Sequence, residues 1–360
     1  MSVPPEDLLA LTARLVDVAS PSFEEQELVA WLEGELRSLG HLEVTRVGDN
    51  LVARTLLGRP VRVVLAGHTD TVPANGNDSA RLDGDVLWGL GSADMKGGLA
   101  VMLASARHHR TPAVDVTYVF YAREEVAAVH SGLAELVAER PDLLAGDLAV
   151  LGEPTGGMIE AGCQGTVRVE VVLRGERAHS ARPWMGRNAV HRAAPLLAAL
   201  EAWEPRRPVV GGCEFREALL AVGIAGGVSG NVVPDEVVVT VGHRYAPDRD
   251  ADEAEAWLRG WLAPHLEEGD EVRVVDAAPA GRPATSHPLV ARLVERHRLD
   301  VSAKLGWTDV ARFSAIGVPA VNLGPGDATL AHTAQERVER LALERTWAVV
   351  DDLVNSPVEG

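Results

Sequence analysis

The sequence predicts an α/β fold, a mixed sheet flanked by helices, interrupted by a smaller inserted α+β unit. Three observations lead there. Apolar residues alternate between helical and extended spacing over 4–164 and again over 279–360. Between them, strand-like and helical runs follow the order strand, helix, strand, strand, helix, strand, which is that of a ferredoxin-like sandwich. Several apolar strands end in loops carrying an acidic or imidazole side chain, and open α/β sheets collect ligands outside the carboxyl ends of their strands. A chain of 360 residues also exceeds the size at which one core usually keeps growing. We therefore expect a larger domain over 1–164 and 279–360, with 165–278 inserted into it.

Leu8, Leu11, Leu15 and Val18 mark a first helix, and Leu28, Trp31, Leu32 and Leu36 a second. Ser20-Pro21-Ser22 separates them; Ser22 with Glu25 reads as a capping box for the second helix, and Gly40 as the residue that ends it. Residues 42–47, 50–55 and 61–65 read as neighbouring strands. The run over 61–73 contains Gly67-His68-Thr69-Asp70, and in an extended chain His68 and Asp70 face the same way. A metal-bound imidazole usually donates its second N–H to a carboxylate or carbonyl, which suits Asp70. The other reading is a partly buried histidine hydrogen-bonded in a turn. Residues 89–96 lead into a helix over 99–106, but they lack the third glycine and the clear preceding strand of a dinucleotide-binding loop. Asp94 reads as a helix N-cap or as a ligand, and Lys96 as a solvated charge.

Residues 114–121 form the clearest strand, and Glu124-Glu125 follow it. Adjacent carboxylates there are either a solvated pair or parts of a hydrolytic metal site, one as ligand and its neighbour as general base toward water. A strand over 148–152 is followed by Glu153-Pro154-Thr155. In the inserted unit, Val167, Val169 and Val171 alternate in a strand, and Ala178-His179-Ser180 precedes a helix over 188–203. Strands over 219–224 and 232–241, a helix over 252–262 and a strand over 272–275 complete it, with 277–283 as the return linker. A helix over 288–298, the loop Gly306-Trp307-Thr308-Asp309, a strand over 320–323, the loop to Ala331-His332-Thr333 and a helix over 336–353 close the chain.

The balance of 52 acidic against 34 basic residues, a formal charge of −18, argues against nucleic acid or an anionic membrane surface as partner. No apolar run approaches the ~20 residues of a bilayer span. Cys163 and Cys213 make neither a disulfide framework nor a Cys-x-x-Cys metal motif. With no secretory signal at the N-terminus, a cytoplasmic location is expected.

His68, Asp94, Glu125, Glu153 and His332 lie on five separated loops, and they converge if the strands before them share one sheet. Two imidazoles and three carboxylates suit two Zn²⁺ ions bridged by a carboxylate. With the motifs Gly67-His68-Thr69-Asp70, Gly91-Ser92-Ala93-Asp94-Met95-Lys96, Arg123-Glu124-Glu125, Gly152-Glu153-Pro154-Thr155 and Ala331-His332-Thr333, the chain resembles the co-catalytic zinc aminoacylase/carboxypeptidase family of metallopeptidases over essentially its whole length. The resemblance implies a di-zinc aminopeptidase-like catalytic domain with an inserted dimerisation and lid domain. It implies two Zn²⁺ per subunit, with Co²⁺ able to substitute, and a small N-acyl amino acid as substrate. Asp94 would bridge the metals, His68 and Glu153 would complete one site, and Glu125 and His332 the other. Glu124 would be the general base and Asp70 the partner of His68, with a cis peptide following Asp94. His179 resembles the histidine that reaches across a homodimer to stabilise the oxyanion.

Within the family, Glu153-Pro154-Thr155, Gly165-Thr166, Gly230-Asn231, His243-Arg244-Tyr245, Gly306-Trp307-Thr308-Asp309 and Gly324-Pro325-Gly326-Asp327 most resemble members that cleave N-succinyl-LL-2,6-diaminopimelate to succinate and LL-2,6-diaminopimelate, a step of lysine biosynthesis. Such a substrate calls for guanidinium groups, and Arg244 is the implied carboxylate partner. Asn231, Thr308, Thr166 and Gly306 are the implied neutral contacts. Cys163-Gln164 stand where such members carry arginines, which leaves Arg168 or Arg187 as substitutes. Hydrolysis of N-acetylornithine or another N-acyl amino acid is the alternative. A catalytically silent binding module is a third reading, which the intact Glu124 and ligand set oppose.

Overall fold

A computed structural model describes residues 2–356. The chain begins with helices α1 (Leu8–Val16) and α2 (Gln26–Ser38), followed by strands β1 (Glu43–Val47), β2 (Asn50–Arg54), β3 (Arg62–His68), β4 (Arg81–Asp83) and β5 (Val86–Trp88). Next come α3 (Lys96–His108), β6 (Asp115–Tyr121), α4 (Gly132–Glu139), β7 (Leu148–Leu151) and β8 (Ile159–Ala161). The middle of the chain forms β9 (Gly165–Arg174), α5 (Ala189–Glu201), β10 (Val209–Val210), β11 (Cys213–Glu214), β12 (Ala218–Gly226), β13 (Glu236–Tyr245), α6 (Ala251–Leu262) and β14 (Glu271–Ala278). The last part forms α7 (Pro288–His297), β15 (Val301–Ala303), α8 (Val310–Ala315), β16 (Ala320–Asn322), β17 (Arg337–Glu339) and α9 (Arg340–Asn355). Among the described residues, no helix is long and apolar enough to cross a membrane.

The chain divides into two compact units. Unit one takes in the chain through Gly162, then Pro283–Ala303 and the part from Arg312 on; unit two is Cys163–Arg282 with Lys304–Ala311. Unit one is built on an eight-stranded mixed sheet in the order β1-β2-β6-β3-β7-β16-β8-β15. Its central strands β6, β3, β7 and β16 run parallel, so their carboxyl ends share one edge. β6 and β7 are buried along their whole length and β3 from Val63 on, because both sheet faces are covered, and their sequences are accordingly near-continuous apolar runs.

Helix α3 is buried from Lys96 through Ala106 and packs against β3, α1 and α9. Two glycines let it approach the sheet edge. A Cβ built on Gly98 would stand 2.3 Å from the carbonyl oxygen of Gly152, and one on Gly67 2.4 Å from Cε of Met95. The start of α3 is thereby pressed onto the ends of β3 and β7.

Unit two carries a four-stranded antiparallel sheet in the order β12-β13-β9-β14. Val167, Val169 and Val171 of β9 and Val237, Val239 and Val241 of β13 pack with Leu196 and Leu200 of α5 and Leu258 and Leu262 of α6. The ferredoxin-like order expected from the sequence is thus present. Strand β13 starts at Glu236 rather than at 232, since Pro234 has no N–H to donate and Val232 instead bridges to His179. The segment 304–311, which the sequence placed with the second part of the larger domain, belongs to unit two. Cys163 Sγ lies 3.5 Å from the Thr308 carbonyl, Trp307 Nε1 donates to Pro279, and the Gln164 N–H donates to Lys304.

Three local expectations are corrected. Ser22 and Glu25 form no capping box: α2 starts without a side-chain cap, and both side chains serve the site described below. Lys96 is not solvated but 2% exposed, its Nζ donating to the Val18 carbonyl at 2.8 Å. Burial lowers its pKa to about 8. The C-terminal helix starts at Arg340 rather than 336, because Arg337–Glu339 pairs with β5 as a strand.

Alanine is normally the better helix former by about 1 kcal/mol, but at position 98 its methyl would collide with Gly152. Gly98→Ala is expected to destabilise the protein by about 1–3 kcal/mol, measured as a lower midpoint of denaturant unfolding. An equal or higher midpoint would show that α3 withdraws from the sheet without penalty.

Candidate metal centre

The shared edge of β3, β6, β7 and β16 collects the side chains singled out by the sequence. His68 is the last residue of β3; Glu124 and Glu125 follow β6, Glu153 follows β7, and His332 lies on the loop after β16. Asp94 comes from the loop that enters α3. Its side chain does not cap that helix, and the Asp94-Met95 peptide is cis.

Ligand atoms of His68, Asp94 and Glu153 lie within 4.8 Å of one another, as do those of Asp94, Glu125 and His332. Asp94 is common to both triplets: its carboxylate oxygens lie 3.1 Å from His68 Nε2 and 3.6 Å from His332 Nε2. His332 Nε2 is 2.8 Å from Glu125. Glu124 joins a third triplet with His68 and Glu125. All these residues belong to unit one.

The electrostatics follow from this crowding. Burial disfavours the charged imidazole of His68, yet the Asp70 and Asp94 carboxylates outweigh it and raise its pKa well above the usual value. Asp94 and Glu125 push that of His332 up to about 10. Burial would raise Asp94, but His332 and His68 hold it far below the usual carboxylate range. The cluster therefore attracts positive charge strongly, and its donor set of imidazoles and carboxylates without thiolate fits divalent cations.

Asp70 does more than face His68. His68 Nδ1 lies 2.9 Å from the backbone carbonyl of Asp70 and 3.5 Å from its carboxylate. The carboxylate accepts from the backbone N–H groups of Glu124 at 2.9 Å and Glu125 at 3.1 Å, and from the Ser22 hydroxyl at 2.7 Å. Burial opposes its ionisation, but His68 and these donors bring its pKa down to about 2. Glu25, fully buried, accepts from the preceding N–H, that of Arg123, at 3.2 Å. Three consecutive backbone amides, 123 to 125, are thus held by two carboxylates. Arg123 has φ +60° and His332 φ +63°, so non-glycine left-handed residues flank the cluster on two loops.

Glu336 makes a similar anchor. It is 1% exposed, and one carboxylate oxygen accepts from the N–H groups of Ala93 and Asp94, both at 3.0 Å. The loop bearing His332 therefore also holds Asp94. Nothing in the local sequence marks Ser22, Glu25, Arg123 or Glu336 as site residues. The only hint was the acidic residue after Ser20-Pro21-Ser22, which local spacing assigned to a helix cap.

The remaining named residues lie in unit two. His179 and Asn231 are exposed on adjacent loops, where the Ser180 N–H donates to the Asn231 carbonyl at 2.9 Å. His179 Nδ1 accepts from the Ala181 N–H at 3.0 Å, leaving Nε2 as the protonated nitrogen. Thr166 on β9 and Arg244 on β13 are direct cross-strand partners. Gly306 and Thr308 lie on 304–311, with Thr308 buried.

A relative from Mycobacterium tuberculosis, provisionally named a succinyl-diaminopimelate desuccinylase, is 46% identical over 92% of this chain and 93% of its own. The succinyl-diaminopimelate desuccinylase of Corynebacterium glutamicum is 42% identical over 92% and 91%. Among solved structures, aminopeptidase PepT of Bacillus cereus superposes with a TM-score of 0.79 at 21% identity, covering 98% of both chains. A dinuclear metal-binding M20 peptidase of Bacillus subtilis superposes with 0.71 at 16% identity, covering 96% of both. Residues 64–356 match the profile of peptidase family M20/M25/M40, and the chain belongs to that family.

Proposed function

We propose that the protein hydrolyses N-succinyl-LL-2,6-diaminopimelate to succinate and LL-2,6-diaminopimelate. The observation that carries this reading is the convergence of His68, Asp94, Glu125, Glu153 and His332 beside Glu124 at one sheet edge. The names of the relatives at 42–46% identity support the choice of substrate. The two free cysteines, both buried, suit the reducing cytoplasm, where we place the reaction.

Two Zn²⁺ ions, for which Co²⁺ would substitute, suit the donors of the two triplets: His68 and Glu153 would hold one, Glu125 and His332 the other, and Asp94 would serve both. When bound, they supply Lewis acidity toward the scissile carbonyl and lower the pKa of water. The chain's own residues do the rest. Glu124 takes the proton of the attacking water and returns it to the leaving amine. Its backbone N–H donates to the Asp70 carboxylate, which aims the base. Asp70 also keeps His68 in the tautomer that leaves Nε2 directed at Asp94, by accepting from Nδ1 through its carbonyl.

His179 acts across a homodimer: with Nδ1 accepting from Ala181, Nε2–H is the donor available to the oxyanion. Asn231 accompanies it on the neighbouring loop. Unit two offers a surface for such a dimer. Strand β12 is a sheet edge, and Leu220, Val222 and Ile224 on it are about half exposed. Arg244, Thr166, Thr308 and Gly306 contact the substrate.

Glu124→Gln is expected to keep the wild-type metal content by mass spectrometry while kcat falls by about a hundredfold to ten-thousandfold. Wild-type turnover in metal-replete buffer would refute the base assignment. The substrate assignment is checked by comparing kcat/KM for N-succinyl-LL-2,6-diaminopimelate with that for N-acetylornithine; a preference for the acetyl compound would overturn it. Sedimentation equilibrium is expected to give a dimer, and Val222→Lys on the β12 edge to shift it toward monomer with loss of activity. A wild-type monomer with full activity would exclude the role of His179 across subunits.

A further inference from the structure

In a chain with 18 more acidic than basic side chains, arginines readily find carboxylates. Unit two shows this: Arg187 pairs with Glu267, Arg192 with Asp270, and Arg206 and Arg249 share the buried Glu217. Among the described residues, Arg182, Arg216 and Arg282 remain unpaired but are exposed to water, whereas Arg244 is not. It is only partly exposed, yet among the described residues its guanidinium has no ion pair or hydrogen bond. Burial lowers its pKa, the nearby Arg168 lowers it further, and Asp276 works the other way.

Register explains the arrangement. Thr166 pairs with Arg244, and Arg168, two residues on, pairs with Gly242 of β13 and Asp276 of β14. Val167, Val169 and Val241 point into the helix-covered core, so Thr166, Arg168, Gly242 and Arg244 share the opposite face. Arg168 reaches Asp276 only at 3.8 Å, both side chains being more than a third exposed, which is a weak pair. Gly242, directly across from Arg168 and two residues before Arg244, leaves the surface open: an added Cβ there would meet only Val222, at 3.6 Å. Two guanidinium groups therefore repel each other beside an open floor, and the one loosely held carboxylate, Asp276, lies on the far side of Arg168 from Arg244.

We propose that Arg168 and Arg244 together bind a carboxylate of the substrate, making Arg168 a specificity-determining residue. This rests on the N-acyl-diaminopimelate reading above. Of the two arginines that stand as substitutes for those missing at 163–164, Arg187 is held by Glu267 on both guanidinium nitrogens, so the structure favours Arg168.

The test uses full-length wild type, Arg168→Gln and, as control, Arg187→Gln, all with metal restored. KM for N-succinyl-LL-2,6-diaminopimelate and competitive Ki values for succinate and for LL-2,6-diaminopimelate are measured. Arg168→Gln is expected to raise KM, and Ki for one of the two products, by about tenfold to a hundredfold with kcat nearly unchanged; Arg187→Gln leaves all of them unchanged. Weakened succinate inhibition assigns the acyl end to the patch, and weakened diaminopimelate inhibition the amine end. Values within about twofold of wild type, or equal losses in both variants, would overturn the proposal. If the wild type does not cleave this substrate, the functional reading fails by itself. The patch is then judged by calorimetric titration of succinate and LL-2,6-diaminopimelate, where weaker binding to Arg168→Gln supports it and equal or absent binding in both proteins overturns it.

Discussion

Negative charge gathered at one sheet edge is the constraint on which unit one depends. Asp70, Asp94, Glu125 and Glu153 lie within reach of His68 and His332, and most are largely shielded from water. Carboxylates in such surroundings persist as anions only where donors or cations meet them. Backbone N–H groups at 124 and 125, the Ser22 hydroxyl and two imidazoles meet part of this demand. The rest is a standing attraction for cations, and the elevated imidazole pKa values express it.

The same constraint explains why two further carboxylates, Glu25 and Glu336, stand just outside the cluster. Neither belongs to a candidate triplet; Glu25 accepts from Arg123, two residues before Glu125, and Glu336 from Ala93 and Asp94. Loop geometry is therefore set by buried acceptors rather than by regular secondary structure. That arrangement holds Arg123 in a left-handed backbone conformation that short loops seldom maintain unaided.

These roles separate what could be read in the sequence from what could not. His68, Glu125 and Glu153 were legible because a strand's apolar run and the polar residue ending it are neighbours in sequence. Order within unit two was legible for the same reason, since alternation marks each strand. Asp94 was ambiguous: an acid before a helix is usually a cap, and only the fold shows its side chain turned from the helix toward His68 and His332. Ser22 and Glu25 match a local capping pattern, yet their partners lie on distant loops, Ser22 meeting Asp70 48 positions away. The Glu336 anchor spans 242 positions, and the burial of Lys96 depends on packing against the α1 end at Val18. No local spacing encodes either. Cross-strand neighbours such as Arg168 and Arg244 likewise appear only once register is known.

One feature of the large sheet bears on how the protein is made. β16 lies between β7 and β8, although the whole of β9 to β14 is synthesised after β8 and before it. On a ribosome, β7 and β8 emerge with the slot between them unfilled, exposing unpaired backbone to other chains until the last quarter of the polypeptide arrives. His332 follows that late strand, so a chain cut before it lacks one member of the Asp94, Glu125 and His332 triplet. Synthesis of nearly the full chain thus precedes both closure of the sheet and completion of the Asp94, Glu125 and His332 triplet, and nascent fragments carry the aggregation risk.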